Sequence, residues 1–239
     1  MRIQEVLSRR SDLSTFLVHL TRTTGGKTAK QRLAQIIIGG AIEAVSPFGH
    51  AVSRLQASRW SLDSQRCVCF TETPLEHISL LTEQIEGRQI KFEPYGIIIT
   101  KKQARKLGVN PVWYLDITPG HDWLTKPMNA LIERAISEKN VLDPVFTMTP
   151  FVEQFGLGAG NPKDFSWERE WRVRNAFPVP TKYMLLCPEA DHPEFQRILE
   201  QAGTNLSDVP MLDAAWGLET IIARLAGFKP EDVGPVVAN

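Results

Sequence analysis

Long hydrophobic runs are missing from this sequence. The longest apolar stretch, residues 33–44, falls well short of the roughly 20 residues that a helix needs to cross a bilayer. The first twelve residues are polar and hold no apolar stretch of the kind that directs secretion. We therefore expect a cytoplasmic protein without a membrane partner.

Cysteine is scarce, and its placement argues against a metal centre. The three residues, Cys67, Cys69 and Cys187, are odd in number and lack the paired spacing of metal ligands. Cys67 and Cys69 flank Val68 in a short apolar run, where we expect small buried hydrophobic side chains. The sequence thus predicts a reduced protein with no metal site, in keeping with the cytoplasm.

The glycine pattern argues against hydride chemistry. No Gly-x-Gly-x-x-Gly motif follows a predicted strand, and that motif marks the usual dinucleotide site of oxidoreductases. Glycines do cluster at residues 156–160, but no predicted helix begins there. We predict that residues 151–165 form a mobile loop that faces a substrate.

The sequence also lacks a net charge, yet its charges are unevenly distributed. Residues 1–66 hold ten Lys/Arg and four Asp/Glu, a net of +6, and the rest hold 17 Lys/Arg and 23 Asp/Glu, a net of −6. Two interpretations are open: a basic patch for a phosphate-bearing ligand, or solvated faces of helices. Overall neutrality argues against broad, tight binding to nucleic acid.

The apolar patterns predict an α+β fold in one domain, residues 1–239. Apolar and β-branched runs predict strands at residues 15–20, 67–71, 95–99 (within residues 92–100), 111–116, 183–187 and 209–213. Helical spacing and capping residues predict helices at residues 29–38, 74–81, 101–107, 129–138, 193–201 and 217–225. Residues 46–64 are predicted to be irregular.

The most informative motif is the run Phe-Ser-Trp-Glu-Arg-Glu-Trp-Arg-Val at residues 165–173. On a β-strand, residues i and i+2 point to the same face. The predicted polar face comprises Ser166, Glu168, Glu170 and Arg172, and the opposite face Trp167, Arg169, Trp171 and Val173. Paired carboxylates transfer protons, bind a cation or stabilise a cationic transition state. The alternative is that neighbouring arginines merely pair with these acids on an edge strand.

Two further motifs carry polar groups that suit a ribose or a phosphate. His19 and Thr21 end an apolar strand, although a lone histidine also serves structural roles. The strand at residues 67–71 ends in Thr71, and a helix is predicted to follow with Thr73 as its N-cap. Hydroxyl groups beside a helix start favour an anion, and the alternative is that both threonines are only caps.

Arginines upstream of this strand form a third candidate group. Arg54, Arg59 and Arg66 each carry a guanidinium, which binds a pyrophosphate through two parallel hydrogen bonds. Spacing does not choose among the three.

In their order along the chain, these motifs resemble the ADP-ribosyltransferase superfamily. The resemblance is to bacterial toxin and phage-defence enzymes similar to DarT, and to abortive-infection proteins of the AbiG type. The matching residues are Phe16, Val18, His19, Leu20, Thr21, Leu33, Ile36, Ile37, Gly39, Val68, Phe70, Pro74, Glu170, Trp171, Arg172 and Val173. The resemblance implies a split β-sheet core with flanking helices at residues 14–187 and a strand–helix extension at residues 188–239.

The resemblance implies that the protein cleaves NAD and passes ADP-ribose to a nucleophile. Glu170 would be the catalytic glutamate, and Glu168 would orient the acceptor. His19 and Thr21 would hold the nicotinamide or its ribose. The full implied set is Glu170 and Glu168 for catalysis, and His19, Thr21, Arg54, Phe70 and Thr71 for NAD.

The resemblance also implies partners and leaves other functions open. The implied acceptor is nucleic acid, RNA or DNA, and an antitoxin or regulatory protein is an implied partner. A catalytically silent abortive-infection component would keep the fold, which suits the loose match of residues 70–73 to the family's Ser/Thr motif. A metal-dependent nuclease would use Glu168, Glu170 and Asp164.

Overall fold

The computed structural model of the chain describes residues 13–83, 91–158 and 161–228. Its strands are β1 (Phe16–Leu20), β2 (Ala41–Ile42), β3 (Cys67–Thr71), β4 (Gly96–Thr100), β5 (Asn110–Pro111), β6 (Trp113–Asp116), β7 (Val152–Gly158), β8 (Asn161–Lys163), β9 (Glu170–Arg174), β10 (Phe177–Pro178), β11 (Met184–Leu186) and β12 (Met211–Leu212). Its α-helices are Ala29–Gly39, Val52–Ala57, Ile78–Thr82, Lys101–Lys106, Thr125–Ser137, Val145–Met148, His192–Gln201 and Leu218–Leu225. Short 3-10 helices are Asp63–Gln65, Leu75–His77, Thr149–Phe151, Ser166–Glu168, Glu189–Asp191 and Leu206–Asp208.

The mixture of helices and strands confirms the predicted class in its coarse form. The described residues fall into two compact units. Among the described residues, unit 1 draws on residues 13–40, 73–83, 91–103 and 179–228, and unit 2 on residues 41–72, 104–158 and 161–178. The prediction of one domain and that of an ADP-ribosyltransferase fold stay predictions. Within the described residues, no helix combines the length and the apolar character that crossing a membrane requires.

In unit 1, β4 lies between two antiparallel neighbours, β1 and β11, and β12 extends the sheet in parallel beyond β11. The isoleucines of β4 are almost completely buried, which explains a continuous apolar run instead of an alternating one. Helices Ile78–Thr82 and Leu218–Leu225 contribute Ile78, Leu81 and Ile221 to the core above this sheet.

Helix Ala29–Gly39 confirms the predicted helix at residues 29–38 and shows why it begins and ends there. The Thr28 side chain accepts the backbone N–H of Gln31, and the Gln31 side chain accepts that of Thr28, which is a capping box. Gly40 ends the helix with a φ of 67°, a left-handed conformation that favours glycine.

Unit 2 contains an antiparallel sheet in the order β3–β9–β5, a sheet in the order β6–β7–β8 and the pair β10–β2. Because β9 has a neighbour on each side, the acidic motif does not lie on an edge strand, and that part of the alternative is wrong. The pairing of an arginine with an acid, its other part, is confirmed for Arg172 and Glu170. A second core lies under helix Thr125–Ser137 and comprises Ala51, Leu55, Ile132, Ala135, Val145 and Phe146.

Two segments differ from their predicted structure. Residues 151–165 were expected to be a loop, but β7 and β8 occupy most of this range. Gly156 has a φ of 103° and lies against the side chains of Asp116 and Thr118. A residue with a Cβ would collide with these two side chains, so glycine allows the backbone of β7 to approach them closely. Residues 46–64 are not wholly irregular, because they contain helix Val52–Ala57.

The segment after β3 also differs from prediction. A 3-10 helix, Leu75–His77, precedes the short α-helix Ile78–Thr82. The residue at the N-cap is Pro74, and this cap has no side-chain hydrogen bond. The prediction of Thr73 as the N-cap is therefore wrong.

Candidate active site

The acidic motif does not form one continuous strand. Ser166–Glu168 is a 3-10 turn, Arg169 follows in a left-handed conformation with a φ of 48°, and β9 begins only at Glu170. The predicted shared face of Glu168 and Glu170 is therefore wrong. Glu170 and Arg172 do lie on one face of β9, at the i and i+2 positions that the sequence predicted.

The end of β3 holds this turn in place. The Thr71 hydroxyl donates to the backbone carbonyl of Glu168 at 2.7 Å. The backbone N–H of Glu72 donates to the carbonyl of Arg169 at 3.2 Å, and the Trp171 indole N–H donates to Glu72 Oε2 at 2.7 Å. Glu72 is 8% exposed, so its carboxylate serves as a buried acceptor. The Thr71-Glu72 pair thus fixes the backbone that precedes and follows Glu170.

The Arg172 guanidinium is the centre of the site, although it is only 1% exposed. Its Nε donates to Glu170 Oε1 at 2.9 Å and its Nη2 to Glu170 Oε2 at 2.6 Å, a two-point pairing. The same Nη2 donates to Glu153 Oε2 at 2.7 Å, and Nη1 donates to the carbonyl of Pro150 at 2.7 Å. The guanidinium carbon lies 5.3 Å from the centre of the Phe48 ring.

We call Arg172, Glu170 and Glu153 the arginine cluster. Burial is the largest single influence and lowers the pKa of Arg172, but the negative charges of Glu170 and Glu153 and the hydrogen bond to Glu170 act together against it, and the net pKa lies above the usual value. The guanidinium therefore stays charged. The carboxylates are 18% (Glu170) and 17% (Glu153) exposed, so each reaches solvent from a fixed position.

Two neutral groups border the arginine cluster. The Tyr114 hydroxyl accepts the backbone N–H of Glu170 at 3.0 Å. Burial raises the pKa of Tyr114 to about 12, and the charges of Glu170 and Glu168 add to the rise. Cys69 lies opposite Arg172 in the β3–β9 register, and a hydrogen bond with Cys67, together with burial, raises the pKa of Cys69. Neither group is poised to act as a nucleophile, because both remain protonated at neutral pH.

The predicted NAD contacts are divided between the two units. His19, a half-buried residue of β1, and Thr21 belong to unit 1. The Thr21 hydroxyl lies within donating distance of two backbone carbonyls, that of Ala29 at 3.0 Å and that of Tyr95 at 3.1 Å. Thr21 therefore joins the end of β1 to the start of a helix and to the segment before β4.

The remaining predicted contacts belong to unit 2. Phe70 is a core residue, 2% exposed, with its ring edge-on to Phe177 at 5.0 Å. Arg54 Nε lies 3.5 Å from Glu133 Oε1. The other two candidate arginines are differently placed: Arg66 Nε lies 3.1 Å from Asp63 Oδ1, and Arg59 is an exposed residue with a φ of 57°.

Sequence reasoning missed most of the groups around Glu170. The Glu170-x-Arg172 spacing signalled their pairing, since i and i+2 share a strand face. Glu153 gave no such signal, because it lies 19 residues before Arg172 in a segment predicted to be a loop. Tyr114 is 56 residues from Glu170 and looked like an ordinary strand residue.

Unit 1 contains a cluster of similar composition, which we call the lysine cluster: Lys30, Asp191, Glu194 and Tyr95. Lys30 Nζ lies 2.8 Å from Asp191 Oδ1 and 2.7 Å from Glu194 Oε2. The Tyr95 hydroxyl donates to Asp191 Oδ2 at 2.7 Å. The hydrogen bond from Lys30 lowers the pKa of Asp191 more than burial raises it.

No group of three or more His, Cys, Asp or Glu side chains suited to a metal ion occurs among the described residues. Asp164, the third acid of the nuclease hypothesis, accepts from the backbone N–H and the hydroxyl of Ser166 at 3.1 and 2.7 Å. A scan against protein-family models finds no match to this chain, and searches of curated proteins and of solved structures find none either.

Proposed function

We propose that the protein is a NAD-dependent mono-ADP-ribosyltransferase, a toxin or phage-defence effector of the cytoplasm, with Glu170 as its catalytic carboxylate. The observation that carries the proposal is the setting of Glu170. Both of its oxygens are held by a buried, permanently charged guanidinium, and part of the carboxylate still reaches solvent. The negative charge of Glu170 is therefore held in one position and remains accessible to a ligand.

A fixed carboxylate suits the chemistry of NAD cleavage. When nicotinamide leaves, the bond between its ring nitrogen and the ribose C1′ breaks, and the electron pair stays with the nitrogen. Positive charge then develops on the ribose, as in glycoside cleavage. Glu170 would stabilise that charge without reorganising, because Arg172 already holds it in place.

Completion of the transfer needs an acceptor and a site for its proton. The acceptor's lone pair would form the new bond to C1′, and its proton would pass to a carboxylate before reaching water. We assign this second role to Glu168, whose negative charge acts on Tyr114 next to Glu170. Nucleic acid is the acceptor class we favour, because basic residues predominate in residues 1–66.

The proposal also distinguishes direct from indirect NAD contacts. The side chains of Thr21, Phe70 and Thr71 hold the fold through backbone hydrogen bonds or core packing. We expect their replacement to act through the structure. Arg54, in the same unit as Glu170, is the predicted contact whose replacement by alanine we expect to weaken NAD binding directly. The contact of His19 with NAD stays a prediction.

The test compares two conservative variants of the same cluster. Purified protein is incubated with NAD and with RNA, DNA or cell lysate, and released nicotinamide and transferred ADP-ribose are measured. Glu170→Gln should lower nicotinamide release at least about 100-fold, the scale seen when one preorganised electrostatic contact is lost. Glu153→Gln is the matched control, because it removes the other carboxylate from the same Arg172 nitrogen. It should retain activity within about tenfold, the range of a positioning effect of about 1.4 kcal/mol.

Circular dichroism and urea unfolding of both variants would separate lost catalysis from lost folding. An equal decrease in nicotinamide release in Glu170→Gln and Glu153→Gln would mean that Glu170 acts only through the structure. The absence of nicotinamide release from the wild-type protein with every acceptor would contradict the transferase proposal itself.

One observation favours a second candidate, a catalytically silent component that keeps the fold. Arg172 engages both oxygens of Glu170, so a ligand would have to share that carboxylate with the guanidinium. Calorimetry with NAD separates the two candidates. A transferase binds NAD with measurable heat, whereas the silent component shows no binding even at millimolar NAD.

A further inference from the structure

A cavity in unit 2 lies apart from the arginine cluster and shares no residue with it. Its volume is about 540 Å³. Its apolar lining comprises Leu55, Trp60, Val141 and Phe146, and its polar lining comprises Ser61, Ser64 and Lys139. Volumes of about 300–1,000 Å³, with mostly apolar walls and a few polar groups, are typical of small-molecule sites.

Two aromatic side chains in contact with each other form part of the apolar wall. Trp60 and Phe146 are tilted by 48° with ring centres 5.9 Å apart, and Leu55, 1% exposed, lies beside them in the second core. Aromatic rings prefer such tilted or offset contacts, and a third ring inserted here would gain contacts of the same kind. The wall therefore favours an apolar group over a polar one, and its two rings can make aromatic contacts with a ring of the ligand.

The polar lining offers hydrogen-bond donors. Ser64 Oγ accepts from Gln65 Nε2 at 3.0 Å, so the hydroxyl's own proton points elsewhere. Lys139, exposed and held at a φ of 52° after helix Thr125–Ser137, makes no ion pair within the part of the chain that the structure describes. The nearby acid, Asp63, is already engaged by Arg66 and by the Ser61 hydroxyl.

We propose that this cavity binds a small molecule in which one aromatic ring carries one anionic group. The ring would lie on Trp60 and Phe146, and the anion would accept from Lys139 Nζ and the Ser64 hydroxyl. The proposal is independent of NAD chemistry, since none of these residues belongs to the candidate active site.

Three variants make the proposal testable without disturbing the core. Val141→Trp fills the cavity from a position that is 65% exposed. Leu142→Trp is its control, because Leu142 is 87% exposed and does not line the cavity. Lys139→Asn removes the charge, and asparagine tolerates the left-handed backbone at this position.

The probes are 8-anilinonaphthalene-1-sulfonate, an aromatic anion, and its neutral counterpart N-phenyl-1-naphthylamine, followed by fluorescence. We expect the wild-type protein to bind one molecule of the anionic probe. Val141→Trp should weaken binding of both probes at least about tenfold, or ~1.4 kcal/mol, and Leu142→Trp should not change it. Lys139→Asn should weaken binding of the anionic probe about tenfold, or ~1.4 kcal/mol, and leave the neutral probe unaffected.

Three results would overturn the proposal: no stoichiometric binding by the wild-type protein, equal losses in the two tryptophan variants, or an equal effect of Lys139→Asn on both probes. Thermal unfolding of each variant checks that the fold is retained. None of these measurements uses NAD, so their failure would leave the transferase proposal standing.

Discussion

The arginine cluster of unit 2 and the lysine cluster of unit 1 have nearly the same composition and very different surroundings. Each places one cation between two carboxylates. A tyrosine hydroxyl borders both: Tyr114 accepts the backbone N–H of Glu170, and Tyr95 donates to the Asp191 carboxylate. Arg172 is 1% exposed, however, whereas the Lys30 side chain is 30% exposed and its partner Glu194 is 49% exposed. Water screens the second set of charges and hardly reaches the guanidinium of the first.

The identity of the cation fits this difference. A guanidinium carries five N–H donors in a rigid plane, and Arg172 uses them on two carboxylates and a carbonyl. A lysine ammonium is a compact, strongly hydrated charge that can stay partly in water, as Lys30 does. The comparison indicates that burial, more than the number of charges, decides how much each cluster contributes to stability.

The largest expected effect comes from removing the buried cation. Arg172→Met leaves Glu170 and Glu153 side by side without a counter-charge. We expect the free energy of unfolding, measured in urea, to fall by about 3–5 kcal/mol, the usual result of breaking a buried ion pair. Arg172→Lys keeps the charge but loses the two-point pairing, so it should lower the free energy of unfolding by less. If Arg172→Met lowered that free energy by less than about 1 kcal/mol, the buried cluster would contribute no more to stability than an exposed ion pair does.

Removal of the exposed cation should matter much less. Lys30→Met breaks two contacts that solvent already screens, and we expect a loss of at most about 1 kcal/mol. The loss should shrink further when urea unfolding is repeated in high salt, because exposed charges are screened within about 3 Å at 1 M. A large loss that does not depend on salt would show that the lysine cluster behaves like a buried one.

The smallest effect concerns the pH dependence of the lysine cluster. The folded-state pKa of Asp191 is lowered, chiefly by the hydrogen bond from Lys30, relative to about 3.9 in an unfolded chain. Its contribution to stability is therefore complete above about pH 4 and is lost as the pH falls through the lower folded value. The stability difference between wild type and Asp191→Asn should be constant from pH 5 to 7 and shrink toward pH 2. A difference that grows on acidification would reverse the sign of the predicted shift.

Local sequence patterns predicted much of the secondary structure. The strand Cys67–Thr71 and helix Ala29–Gly39 occur where expected, because β-branched runs, a capping box and Gly40 act over a few residues. Residues 151–165 were predicted wrongly because their glycines looked like loop residues. Pairing of β7 with β6, from a distant part of the chain, makes this segment a strand.

The candidate site shows the same division. The i, i+2 spacing identified Glu170 and Arg172 as neighbours, but it also placed Glu168 beside them. The left-handed conformation of Arg169 shifts Glu168 out of the strand, and Thr71 holds the resulting turn through the Glu168 carbonyl. Non-glycine residues with positive φ are uncommon, so no local rule predicts this turn.

The sequence by itself determined the polarity of each segment, the start of helix Ala29–Gly39 and the pairing of Glu170 with Arg172. Those features depend on residues that lie within four positions of one another. Only the tertiary structure decided that Arg172 is buried, that Glu153 shares its guanidinium and that β9 has a neighbour on each side. Burial and strand pairing depend on which distant segments pack against one another and exclude water, and this packing is a property of the whole fold.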